Sequence, residues 1–105
     1  MKLVVSQKDI DAAYAAKEDA KETGRNFLPS KECPVSKAAS KLFGVPCTSS
    51  WGGIMVHDNG DTNAIATRTY ACSHIDMKNF QQKFDGYGSR EKVEPEEFDI
   101  RPIFE

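Results

Sequence analysis

The chain has 105 residues, enough for one domain over 1–105 and too few for a second core. Hydrophobic residues make up 39% and charged residues 29%, which suits a thin domain with much exposed surface. The net charge of −2, with no basic stripe, excludes the electrostatic footprint of a groove-binding nucleic-acid protein, so no direct nucleic-acid binding is expected. The longest apolar run falls far short of the roughly 20 residues that span a bilayer, so no membrane partner is expected. The start, Met1-Lys2-Leu3-Val4-Val5-Ser6, turns polar too early for a signal peptide, and three cysteines do not suit a secreted disulfide scaffold. A cytoplasmic location is the default.

In chain order, Leu3-Val4-Val5 reads as a first strand. Ser6 and Asp9 then have capping-box spacing for a helix over 9–22, stopped by Gly24. A linker over 25–32 contains Pro29. A second helix starts at Cys33-Pro34, because proline at the first helical position forfeits no hydrogen bond. Val35, Ala38, Ala39, Leu42 and Phe43 fall on one helical face, and Gly44 and Pro46 end it.

A hairpin follows, with strands at 51–57 and 63–72 around Asn59-Gly60, a strong type I′ signal. That loop sets Ile54 opposite Ile65, Met55 opposite Ala64 and Trp51 opposite Arg68, the last as a cation–π pair. Ser73-His74-Ile75-Asp76 reads as a cap, Met77, Phe80 and Phe84 as the apolar face of a third helix, and Gly86 as its stop. Phe98, Ile100 and Phe104 alternate as a last strand, which Pro102 assigns to a sheet edge. The expected fold is α+β: a small two-layer sandwich, with an antiparallel sheet of about four strands and helices on one face. With the first two helices taken as one broken crossover, the order is the β-α-β-β-α-β of a ferredoxin-like sandwich.

Four constellations bear on function. Cys47, Cys72 and His74 form a candidate metal set: Cys72 and His74 point the same way on an extended segment, and the Asn59-Gly60 register puts Cys47 opposite Cys72. The more frequent role of such cysteines is as small buried hydrophobes. Cys33, before a helix N-terminus, is a candidate nucleophile that would need His57 or His74 as its base. The Asp-rich loop at 58–63 lacks the spacing and the closing glutamate of a calcium loop, and hairpin chemistry accounts for it. Ser49, Ser50, Gly52 and Gly53 offer hydroxyls and open amides beside Trp51, a candidate ligand-binding segment for a small anionic or nucleotide-like molecule, with a bulged strand entry as the plainer reading.

No P-loop, GxGxxG or GxSxG motif occurs, no cofactor is implied, and the expectation is a non-enzymatic protein. The last fifteen residues carry six acidic groups, among them Glu94, Glu96, Glu97 and Asp99, against Lys92 and Arg101. Together with Trp51, Arg68 and Tyr70, which are common interface anchors, these acidic residues form the expected partner-binding surface.

At Cys33-Pro34-Val35-Ser36-Lys37-Ala38-Ala39 the chain resembles a loose group of small bacteriophage and prophage proteins of unknown function. The layout shares a short strand and helix start (Val4-Val5-Ser6-Gln7-Lys8-Asp9-Ile10), a Cys-Pro-x-x-x-Ala helix, a hairpin and a Phe-Pro-rich final strand. The resemblance implies a phage accessory role and supplies no catalytic residue. Taken together, the leading expectation is a phage-encoded protein that binds and blocks a host protein or protein–nucleic acid complex, such as a defence component, in the host cytoplasm. The alternatives are a protein that sequesters a nucleotide-like small molecule and a zinc-stabilised interaction module. Exposed strand edges allow a homodimer without requiring one.

Overall fold

The structure, a computed structural model, describes residues 1–72, 76–86 and 92–103. Nine elements follow in order: β1 (Lys2–Val5), α1 (Gln7–Thr23), α2 (Pro29–Glu32), α3 (Pro34–Phe43), β2 (Cys47–Ser50), β3 (Gly53–Val56), β4 (Arg68–Cys72), α4 (Asp76–Asp85) and β5 (Glu96–Pro102). The fold is α+β. The five strands form a sheet of order β1-β5-β4-β3-β2, with every neighbouring pair antiparallel. The sheet thus has five strands where about four were expected, and among the described residues no parallel pair is formed. Among the described residues no helix is long and apolar enough to cross a membrane.

The helices form where their caps and apolar faces dictate. The Ser6 hydroxyl accepts from the Asp9 N–H at 3.2 Å, and Asp9 Oδ2 accepts from the Ser6 N–H at 3.0 Å, closing the capping box of α1. α3 buries Val35, Ala38 and Ala39, and its two alanines let the helix axis approach the sheet closely. Burying a side chain such as Val35 contributes about 1.5–3 kcal/mol. Gly44 ends α3 at φ +72°, a conformation that costs a residue with a Cβ about 1–2 kcal/mol. The linker around Pro29 winds into the single turn of α2, with the proline at its first position.

α3 packs on both β1 and β2, the two edges of the sheet, so the sheet curls around this helix. Leu3, Val5, Ile54, Val56, Phe98 and Ile100 line its covered face, while Lys2, Val4, Glu97, Asp99 and Arg101 alternate outward. From α4, Met77, Phe80 and Phe84 join this core, with Phe80 edge-on to Phe98 at 5.5 Å between ring centroids. The Ser73 cap expected for α4 lies outside the described residues, as does Phe104.

The expected hairpin register is overturned. Ile54 meets Tyr70 instead of Ile65, and Val56 meets Arg68. The displacement is odd, so it exchanges the faces of β4: Tyr70 turns into the core and Ile65 is 92% exposed. The Asn59-Gly60 signal is spent on a local turn, in which the Gly60 N–H donates to the His57 carbonyl at 2.9 Å. Asx bonds from the Asp61 N–H to Asn59 Oδ1 (3.1 Å) and from the Asn63 N–H to Asp61 Oδ1 (2.9 Å) wind the chain further. Arg68 closes the loop at its neck with two bonds to Asp58, at 2.9 and 2.7 Å. The tight hairpin lies one step earlier, between β2 and β3, where Ser50 pairs with Gly53 across Trp51-Gly52.

The edge assignment from Pro102 is also corrected, since β5 runs between β1 and β4. The Ile100 N–H donates to Met1 and the Ile103 N–H to Thr69, so position 102 alternates to the β1 side, beyond the last rung there. The donor that proline lacks would meet no strand, and the ladder loses nothing.

Candidate functional site

A cleft of about 490 Å³ opens between α2, the β2–β3 turn and α4. Ser30 comes from α2, Cys33 from the cap of α3, Ser49, Ser50 and Trp51 from the end of β2 and its turn, and Gln81 and Asp85 from α4. Gln81 and Asp85 are four apart on a helix, so they share one face.

The turn carries the geometry. Gly52 has φ +89°, which frees its N–H to donate to Gln81 Oε1 at 2.9 Å. The indole N–H of Trp51 donates to Asp85 Oδ2 at 3.0 Å. Two bonds therefore clamp the hairpin tip to α4. The bond from Gly52 also fixes which end of the Gln81 amide is oxygen, and so where its NH₂ lies. Gln81 lines the cleft, and among the described residues this NH₂ has no acceptor.

The floor of the cleft is a hydroxyl–thiol chain. Ser36 Oγ donates to the Ser30 carbonyl at 2.7 Å, which uses its single proton. The 2.7 Å contact with Ser49 Oγ is then donated by Ser49, and the 3.0 Å contact between Cys33 Sγ and Ser49 Oγ by the thiol. The Ser36 N–H donates to Cys33 Sγ at 3.4 Å, so the sulfur also caps α3. Cys33 is 4% exposed. The bases named for it are not beside it: His57 Nε2 meets Thr48 Oγ1 at 3.0 Å, strand alternation puts both on the face away from Ser49, and His74 lies outside the described residues.

Lys17 stands behind the cleft, 3.8 Å from the centroid of the Phe84 ring, and its ammonium donates to the Phe84 carbonyl. Burial among the rings lowers its pKa, with the Asp85 carboxylate acting the other way. Among the described residues Asp85 and Cys33 are the ionisable groups on the cleft wall, and neither lysine nor arginine lines it.

The residues expected at a partner surface do not share one. Trp51 stands at the hairpin tip, 47% exposed, with Asp85 as its partner. Arg68 sits on β4 opposite Val56, at the far end of β3 and about 10 Å along it from Gly53 at 3.3 Å per residue, bonded to Asp58 and over the Phe43 ring at 5.3 Å. The Trp51–Arg68 pair is therefore not formed. Tyr70 is a core residue, 7% exposed, against Phe43. Glu96, Glu97 and Asp99 lie on β5 beside β1, where Asp99 pairs with Lys2 at 2.9 Å. Glu94 and Glu96 border a separate hollow with Asp76 and Lys83. Burial and then Asp76 raise the pKa of Glu96.

Of the candidate ligand segment, Ser49 and Ser50 line the cleft, Gly52 anchors Gln81, and Gly53 pairs with Ala71. The metal set does not assemble in the expected way, because Cys47 is opposite Val56 and Cys72 opposite Ile100. Among the described residues no group of three His, Cys, Asp or Glu side chains is arranged to hold a metal.

Gln81 and Asp85 escaped the sequence reading. A signal for Gln81 was there: it falls four residues after Met77, beside Phe80 and Phe84, a polar residue on the apolar stripe of its helix. Nothing in the sequence linked it to Trp51-Gly52. Comparison with protein-family models, with curated proteins and with solved structures finds no match to this chain.

Proposed function

We propose that this chain is a non-enzymatic binding domain that holds a small ligand in the cleft between α2, the β2–β3 turn and α4. The observation that carries this reading is the Gln81 NH₂, which lines the cleft with no acceptor among the described residues. Small-molecule sites are largely preformed, about 300–1,000 Å³ in size, and lined by apolar walls with a few placed polar groups. A ligand acceptor at Gln81 would replace the water that the folded protein must otherwise find for it.

Thermal melting against a panel of metabolites and nucleosides tests the reading. A ligand present at a hundred times its Kd stabilises by about 2.7 kcal/mol, a shift of many degrees for a domain of this size. The shift should vanish in folded Trp51→Ala and Gln81→Ala variants. A shift that survives both substitutions would move the site elsewhere, and a panel without any shift would remove the reading.

A second reading keeps a macromolecular partner. Trp51, half exposed at the rim, suits a partner that inserts a side chain into the same cleft. This is the form in which a phage accessory protein that blocks a host component in the cytoplasm remains a proposal, with the acidic β5 edge as a separate contact.

A further inference from the structure

We infer that Asn59 is a site of covalent modification, where water converts the side-chain amide into an isoaspartyl link, and that the turn around it and the Asp58–Arg68 clamp restrain the reaction. The site lies on the loop between β3 and β4, apart from the cleft and independent of the ligand-holding reading. Asn59 is followed by Gly60, and both are exposed to solvent. With no Cβ on residue 60, the backbone nitrogen there can approach the Asn59 side chain closely. The chemistry needs nothing beyond water. The Gly60 nitrogen loses its proton and attacks Asn59 Cγ. The Cγ–Nδ2 bond breaks, ammonia leaves with that proton, and a cyclic imide remains. Water then opens the imide at its main-chain carbonyl. The chain now runs through Cβ and Cγ, and the former α-carbonyl is a free carboxylate.

The fold opposes the first step. The Gly60 N–H donates to the His57 carbonyl at 2.9 Å, and neither Asp58 nor Asn59 has a positive φ. That combination is a type I turn, with ψ of Asn59 near about 0°. Attack needs ψ rotated far from there, until the Gly60 nitrogen eclipses the Cα–Cβ bond of Asn59, and the rotation breaks the hydrogen bond of the turn. The side chain is tied as well, because Oδ1 accepts from the Asp61 N–H at 3.1 Å. The neck keeps both in place: Arg68 donates to Asp58 at 2.9 and 2.7 Å, and the Asp58 N–H donates to Thr67 Oγ1 at 3.2 Å. Reaction therefore draws on the fraction of molecules whose loop has opened. The product adds a backbone atom inside the turn and a carboxylate between Asp58 and Asp61, so the same closed loop does not re-form.

Protein aged at mildly alkaline pH, with the link detected by peptide mapping and by an isoaspartyl-specific methyltransferase, tests the inference. In the chain unfolded by urea, Asn59 should convert faster than Asn26, Asn63 and Asn79, which are followed by Phe27, Ala64 and Phe80. In the folded protein Asn59 should convert at least about tenfold more slowly than in urea, because only opened molecules react. Arg68→Ala and Asp58→Ala each remove the clamp, and the second leaves intact the guanidinium that lies over the Phe43 ring. Melting curves confirm that each variant is folded. Both should convert several-fold faster than the unaltered protein when each is compared with its own rate in urea. Faster conversion of another asparagine in urea would overturn the site. A folded rate equal to the rate in urea, or two folded variants no faster than the unaltered protein, would overturn the restraint by the turn and the clamp.

Discussion

At the scale of single residues, Asp9 shows how a few bonds decide a charge. Burial disfavours its carboxylate, but the Ser6 N–H, the Lys41 ammonium and the Ser6 hydroxyl outweigh that cost and hold its pKa below the ordinary carboxylate value. A carboxyl with a lowered folded pKa stabilises the fold above its unfolded pKa, about 3.9, and that stability is lost as the pH falls through the folded value. Ser6→Ala should therefore cost about 1 kcal/mol at neutral pH by loss of the cap. It should also flatten the fall in stability below about pH 4, because Asp9 then titrates closer to its unfolded value. Urea midpoints across that range check both effects, and an unchanged acid limb would show that the residue-6 N–H and Lys41 hold Asp9 without the hydroxyl. The capping box was legible in the sequence, because both partners lie within three residues. Lys41 was not, because its approach to Asp9 at 3.1 Å depends on α3 packing beside α1.

At the scale of elements, the β2–β3 hairpin decides most. Gly52→Ala places a Cβ at φ +89°, which should cost about 1–2 kcal/mol and displace the N–H that holds Gln81. The melt should fall by several degrees, and ligand response in the cleft should fall further than that loss of stability accounts for. A Gly52→Ala variant that melts lower but binds unchanged would separate the turn from the site. This hairpin was hidden because Cys47-Thr48-Ser49-Ser50 lacks apolar alternation, while Asn59-Gly60 offered a stronger local signal downstream. The downstream signal lost because Asp58 and Arg68 close the loop at its neck and set the register there. The helices were legible because their caps and apolar stripes are local.

At the scale of the molecule, β5 ties the sheet together. Phe98 sits on the strand between β1 and β4 and meets Phe80 of α4, so it joins both halves of the sheet to the helical layer. Phe98→Ala should cost about 3–5 kcal/mol, a large share of the 5–15 kcal/mol typical of a native domain. A denaturant midpoint close to that of the unaltered protein would mean that the core refills the space. The inward turn of Phe98 and Ile100 was readable from their alternation. The central place of β5 was not, because the proline rule assumes a neighbour on the N–H side, and here the β1 ladder ends one rung short.

The sequence by itself determined what depends on near neighbours: the α+β class, α1, α3 and α4 with their apolar faces, the capping box, and the alternation of β1 and β5. Caps, helical stripes and strand alternation act over a few residues, so composition and spacing record them. Only the tertiary structure decided the order of the sheet, the register of β4 and the cleft. The cleft joins Cys33, Trp51 and Gln81 across long stretches of chain, and which side chains meet there follows from the curl of the sheet around α3 and the clamp of the hairpin tip on α4. Such non-local pairings leave no periodic trace, because chain distance says nothing about which surfaces pack together once the loops between them have closed.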